Sequence, residues 1–360
     1  MLRCAFAHCL IQNLLIRPAG PVPKRDKPKL NRKVLIVAVI VLASFAWSSL
    51  ARAGSPTAEV IGIFPRDVAE FAFIDLQEAR SLAWFPELQK KVLPDQLRQF
   101  ELFLASPGMD RDSRVEELAW AAAPRSSASQ PSQDATASQE TLIVAMGQFS
   151  PESTAAYFKA HKRNVGNVRD HILYPLNGGS GVGGTFVWFI NSTVAVLGER
   201  KDLERVISIN DNQEPSLLSN PSLAPLISQA NSRSVIWGVF NESRASLEMQ
   251  AILPSLAGFS QVQQLFSKVQ AFTIEIDADR GTRSTFEAIC ASPDDAHTFA
   301  TLLQTALLYQ ASLPDRSNQG MTALLSQAKV AASADRLDVT VALTDDQVVG
   351  LLQNNGLSGH

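Results

Sequence analysis

Two strand-to-helix junctions, 142 residues apart, constrain this chain more than any other feature. The first is Thr141-Leu-Ile-Val-Ala-Met-Gly-Gln-Phe-Ser-Pro-Glu152 and the second is Arg283-Ser-Thr-Phe-Glu-Ala-Ile-Cys-Ala-Ser-Pro-Asp294. Each ends in Ser-Pro-acid, the chemistry of a helix start. Ser150 or Ser292 caps, proline takes the first helical position, and the acid meets the positive end of the helix dipole. Further along, Thr193-Val-Ala-Val-Leu-Gly-Glu-Arg-Lys-Asp-Leu-Glu-Arg-Val-Ile207 matches Asp338-Val-Thr-Val-Ala-Leu-Thr-Asp-Asp-Gln-Val-Val-Gly-Leu-Leu352 at an offset of 145. Two distant matches at nearly one offset predict an internal duplication.

Other parts of the chain fall into the same frame. A strand feeding a helix opens each copy, at Glu70–Leu82 and Val235–Leu247, and a Leu-Pro follows in both, at Leu93-Pro94 and Leu253-Pro254. Proline is tolerated in a first helical turn and not inside a helix, so each Leu-Pro marks a junction between helices. Leu93, Leu97, Phe100 and Leu104 then form a core-facing stripe. Strands are predicted at 115–123 and 269–277. The first copy joins its inner strands through the polar segment 125–140, expected to be a mobile surface loop, where the second uses a tight turn at 278–281. The predicted organisation is a first α+β copy over 54–207, a connecting segment over 208–232 and a second copy over 233–360. The fold class expected is α+β, with a mainly antiparallel sheet and helices packed on one face.

Residues 1–53 predict where the chain goes. A basic region to residue 33, an apolar run over 34–50 and Ala51-Arg52-Ala53 are the three parts of an export signal. The run is close to the ~17-residue minimum for a spanning helix, so cleavage after Ala53 and retention as a signal anchor both stay open. Either outcome places residues 54–360 outside the cytoplasm, in the periplasm or secreted, with membrane contact through 34–50 if uncleaved. That part holds 23 Lys or Arg against 34 Asp or Glu, a net charge of −11, and shows no basic stripe. Nucleic acid is excluded as a partner on these grounds. Cys290 is the one cysteine beyond residue 53, so no disulfide framework is expected, and its place in a strand reads as a small core side chain.

Gly179-Ser-Gly181-Val-Gly183-Gly184 satisfies the G-x-G-x-x-G spacing of a dinucleotide turn. That turn must open a helix, because the helix N-terminus holds the pyrophosphate. Here the β-branched and aromatic run Thr185-Phe-Val-Trp-Phe-Ile190 follows, so the glycines read as a loop between strands, and no cofactor is expected. The histidines lack ligand spacing, and the acid pairs Asp277/Asp279, Asp294/Asp295 and Asp345/Asp346 sit in turn and cap contexts. No metal site or catalytic residue is predicted. The residues singled out as a ligand or partner surface are Trp84, Phe85, Gly179, Gly181, Gly184 and Trp188, with Trp84-Phe85 and the glycine loop forming a mouth.

The "F-x-F-I-D-L" strand, the "L-P-D-Q-L" helix, "G-M-D-R-D-S-R-V-E-E-L" and "L-G-E-R-K-D-L-E-R-V-I" follow an export segment. In layout across residues 60–345 this resembles exported bacterial α+β proteins classed as domains of unknown function. The resemblance implies an extracytoplasmic location and the α+β class, and carries no catalytic motif. The expected function is a non-enzymatic cell-envelope protein that binds a partner protein or supports an assembly. The alternative is a carrier of an apolar or amphiphilic small molecule, and an enzyme with a cryptic site is the third reading. An enclosed apolar cavity favours the carrier, and an exposed apolar patch favours the partner.

Overall fold

The computed structural model describes residues 55–123, 141–176, 184–230, 234–245, 260–278, 281–312 and 327–354. The export segment, the polar loop 125–140, most of the glycine run and the Leu253-Pro254 junction lie outside the described residues. Residues 53–360 form one compact unit, to which all described residues belong.

The first half runs α1 (Ala58–Ile61), β1 (Glu70–Asp75), α2 (Leu76–Ala79), α3 (Phe85–Lys91), α4 (Asp95–Leu104), β2 (Arg114–Ala122), β3 (Thr141–Gln148) and α5 (Pro151–Ala160). It continues with β4 (Gly166–Val168), β5 (His171–Pro175), β6 (Thr185–Phe189), β7 (Val194–Glu199) and α6 (Arg200–Asn210). A 3-10 turn at Leu217–Ser219 and α7 (Leu223–Gln229) connect to the second half. That half comprises β8 (Ile236–Asn241), α8 (Ser260–Phe266), β9 (Val269–Asp277), β10 (Thr282–Cys290), α9 (Pro293–Ser312), β11 (Lys329–Ser333), β12 (Arg336–Leu343) and α10 (Asp345–Asn354).

The described strands join one 12-stranded sheet in the order β11-β12-β10-β9-β8-β1-β2-β3-β7-β6-β5-β4, and their pairings are all antiparallel. The chain is therefore an α+β protein built on one antiparallel sheet. Outward from the central β1–β8 pair, one side reads β1-β2-β3-β7-β6 and the other β8-β9-β10-β12-β11. Counted outward from that pair, β2, β3 and β7 on one side take the same places as β9, β10 and β12 on the other.

Local chemistry accounts for the helix ends. Ser150 and Ser292 accept from the backbone N–H three residues on, and Pro151 and Pro293 take the first helical positions of α5 and α9. Glu199 and Asp202 close a capping box at α6, and Thr344 and Gln347 exchange the same pair of bonds at α10. Pro94 sits just before α4, whose residues Leu97, Phe100 and Leu104 are buried as the stripe requires.

The two halves differ in how their faces are covered. In the first, β1 is buried on both sides. Phe71, Phe73, Val144 and Val196 pack with Leu203 and Val206 of α6 and with Leu223 and Leu226 of α7. Ile74, Leu118, Ile143 and Leu197 pack on the opposite face with α3, α4 and α5, joined by Val348 and Val349 of α10. Strands apolar on both sides need cover on both, so helices lie on two faces here, where one was expected. In the second half Phe272, Ala288 and Leu337 align across three strands under Phe266 of α8 and Phe299 of α9. The other face carries the aligned row Thr273, Glu287 and Asp338, so the apolar/polar alternation leaves helices on one face.

Two polar contacts cross the central seam. Arg244 Nη2 and Nε reach one oxygen of Glu70, at 2.6 and 2.7 Å, with both side chains nearly buried. Trp84 Nε1–H donates to Thr282 Oγ1 at 2.9 Å. Removing one partner of a buried ion pair strands the other charge, so Arg244→Met should destabilise by about 3–5 kcal/mol in urea unfolding. The double variant Arg244→Met/Glu70→Gln should recover most of that loss. A single variant no less stable than the double would refute the role of the pair.

Candidate functional site

The described surface has an open cleft of about 580 Å³ at one end of the first half. Its floor is apolar, from Ile63 after α1, Ile190 and Val194 in the β6–β7 hairpin, and Ile209 in α6. The walls are held by local bonds. Leu217 N–H donates to Phe64 O at 2.8 Å and Arg66 N–H to Pro215 O at 3.2 Å, which ties the segment after α6 to the segment before β1. Asn191 Oδ1 accepts from the backbone N–H groups of Thr193 and Val194, at 2.7 and 2.8 Å, and fixes the hairpin. Asn212 has φ +58°, a left-handed conformation that asparagine tolerates and that turns the chain out of α6.

The rim is polar, with Asn210, Asn212, Ser216 and Ser219 beside Glu59 and Glu214. Among the lining residues there are two carboxylates and no cation. Arg205, behind the rim, contacts both Glu214 at 3.2 Å and Asp67 at 2.6 Å. Leu218 stands on the rim and is 50% exposed. An apolar floor, an exposed leucine and an acidic rim make a surface that can bind. The lining lacks a nucleophile paired with a base.

Titratable groups elsewhere have structural surroundings. Burial pushes the Cys290 thiol up to about 11, and the side chain lies among Phe272, Ala288 and Phe299, in accord with a core role. His161 Nδ1 lies 2.9 Å from Tyr157 O, and His171 stands edge-on to Trp188. Among the described residues no group of three His, Cys, Asp or Glu side chains converges to hold a metal. No helix among them is long and apolar enough to cross a membrane.

Of the residues singled out, Trp84 and Phe85 lie in the core on one sheet face and Trp188 in the core on the other. Trp84 and Phe85 are 1% and 6% exposed and belong to the core beneath α3 and α4. Trp188 is 4% exposed and belongs to the core on the opposite sheet face. Trp84-Phe85-Pro86 interrupts a helical stretch with large apolar groups, which in sequence suggests a groove or surface contact. They are buried because the helices after β1 fold back over the sheet. Gly184 precedes β6, while Gly179 and Gly181 lie outside the described residues. The strands that flank the glycine run, β5 and β6, pair antiparallel, so the run joins strand to strand. The cleft was missed because its walls come from three separated segments. The nearest signal was the Asn210-Asp-Asn212 turn, read only as part of a connecting segment.

No protein-family model matches the chain, and no curated protein matches it. Among solved structures the fold is similar to crystal forms I, III and IV of TP0453, at TM-scores of 0.47, 0.45 and 0.45 and identities of 10%, 11% and 11%. These alignments cover 86%, 82% and 81% of this chain and 99%, 98% and 94% of those chains. Likeness at that level carries no argument about activity.

One acid on the sheet has an unusual environment. A bulge between Val115 and Glu117, in the pairing with β3, makes Glu116 an extra residue on β2, and the regular pairing with β1 sets Glu117 opposite Asp75. Burial first, then the charges of Asp75 and Glu116, raise the Glu117 carboxyl from 4.5 to about 7. The folded chain therefore binds more protons at this site than the unfolded chain, and stability falls as pH rises from about 4.5 to 7. Glu117→Gln should match the parent near pH 4.5 and exceed it at pH 8 by about 1–2 kcal/mol, allowing for screening on its open side. Thermal melts across that range check this, and parallel curves for the two proteins would count against it.

Proposed function

We propose that this is a non-enzymatic protein of the cell envelope that binds a partner polypeptide in the cleft between α1, the β6–β7 hairpin and the 3-10 turn. The observation that carries the reading is an exposed apolar residue, Leu218, on the rim of an open, apolar-floored groove edged by carboxylates. That chemistry suits an extended segment with an apolar anchor flanked by Lys or Arg. Location rests on the export signal read at residues 1–53, and residues 54–360 carry a net charge of −11. We read the two half-sheets as copies of one ancestral unit, supported by the repeat offsets and the matching outward strand order.

A carrier of small molecules is the competing reading, since about 580 Å³ is within the range of ligand pockets. Native mass spectrometry of the protein released gently from its own envelope separates the two. The expected result is a complex with a second polypeptide that is lost in Leu218→Asp and kept in Leu308→Asp, a control at an exposed leucine on α9. A discrete small-mass adduct abolished by Leu218→Asp would replace this reading with the carrier. A complex indifferent to Leu218→Asp would remove the cleft from the function.

A further inference from the structure

A second, smaller concavity opens where α7 meets the polar face of the second half. It has a volume of about 130 Å³ and is lined by Trp237, Thr273, Glu275, Glu287 and Arg336 of the sheet and by Gln229 of α7, among others. Strand register places these side chains together. Trp237 is the cross-strand partner of Glu275, and Thr273 is the partner of Glu287, on the face opposite the α8–α9 core. Arg336 closes the far side and ion-pairs with Glu287.

Trp237 makes this more than a surface dent. It is 2% exposed, yet its indole N–H has no hydrogen-bond partner among the described residues. A buried donor without an acceptor is disfavoured, and native proteins leave few of them. The other indole described at the seam, Trp84, has its acceptor in Thr282. Trp237, which lines this polar cavity, thus carries a buried donor that no described residue answers.

The remaining lining narrows the chemistry. Glu275, Glu287 and Thr273 offer acceptors, and Trp237, Gln229 and Arg336 offer donors. The charged groups are two carboxylates and one guanidinium, a net of −1. A bare metal ion would suit the carboxylates and leave the indole donor unanswered. A simple anion would answer the indole and meet a net negative wall. The volume equals that of about four liquid waters, too small for a sugar nucleotide or a peptide. Burial raises the Glu287 pKa against the pull of Arg336, so an added cation would be welcome beside it.

We infer that this notch binds a small amino compound, an ammonium group with an oxygen acceptor two or three bonds away. The ammonium lies toward Glu275 and Glu287, and the oxygen accepts from Trp237 Nε1–H. Amino alcohols and small amino acids share this chemistry. The inference is independent of the cleft and of the partner assigned to it.

The test uses the full chain in mild detergent with 15N-labelled tryptophan, and follows the indole N–H resonances by NMR. The sequence has five tryptophans, and Trp237→Phe identifies the resonance of interest. The probes are ethanolamine, glycine and L-serine, with methylammonium and acetate as fragments that each carry one of the two groups. The expected result is a saturable shift of the Trp237 resonance by at least one of the first three, at a concentration at least tenfold below either fragment. Glu275→Gln should raise the half-saturation point at least tenfold while the Trp84 resonance stays in place. If Glu275→Gln fails to fold, Thr273→Val serves with the same criterion. Glycine against ethanolamine tells whether the oxygen is a carboxylate or a hydroxyl. No saturable shift with any probe would mean that the notch holds water only, and would overturn the inference. Equal response to acetate alone, or no effect of the wall variants, would overturn it as well.

Discussion

The structure depends on the antiparallel pairing of β1 with β8. Each half alone would end in an open strand edge, a row of unpaired N–H and C=O groups that invites association. Joining β1 to β8 over Glu70–Ile74 and Ile236–Phe240 removes both of those edges at once. Among the described strands the outermost are the short β4 and β11, and β11 opens with Lys329. Around the seam, Trp237 lies against Phe73 and Phe71, with ring centroids 5.8 and 5.5 Å apart. The Glu70–Arg244 pair and the Trp84–Thr282 bond cross the same line, and α10 returns from the end of the second half to pack on α3. Packing, ion pair and chain path thus all reinforce one junction.

That junction also decides where concave surface can form. Helix α7 contacts both β1 and β8, and so lies over the seam on the face that the first half buries and the second leaves polar. Its second-half side has no apolar sheet to rest on, because Thr273, Glu275 and Glu287 stand there. The notch is the gap left by that change of character. The larger cleft lies elsewhere, at the far end of α6, where the chain turns at Asn212 and leaves Leu218 on the rim. Both sites occur where regular packing stops, and neither disturbs the core.

Much of the fold was legible in the sequence because it is local. Ser-Pro-acid, the capping box at Thr344 and the stripe of α4 are settled within a few residues, and the structure has them as read. The strand that follows the glycine run was legible for the same reason. The two-sided cover of the first half was not, although Glu70-Phe-Ala-Phe-Ile74 is apolar at nearly every position. A short continuous apolar run says that a strand is buried on both sides without saying what covers it. Trp84 and Phe85 misled for a related reason. They lie in a core assembled from distant segments, and the indole of Trp84 finds its acceptor at Thr282, 198 positions away, which no window of sequence contains. Glu117 is another such case, since its raised pKa needs the bulge at Glu116 and the register that brings Asp75 alongside.

Trp237 joins the two themes. Its ring fills space between the halves, and for that task any large aromatic side chain would serve, since the stacking on Phe73 uses only the ring. The indole N–H adds nothing to that packing. Buried and with no acceptor among the described residues, it adds nothing to the stability that the ring supplies. Phenylalanine at this position would keep most of the seam and shed the orphan donor. The packing of the core therefore explains an aromatic residue at 237, and it does not explain a tryptophan. The polar notch that Trp237 lines is where the proposed ligand would supply an acceptor for that N–H.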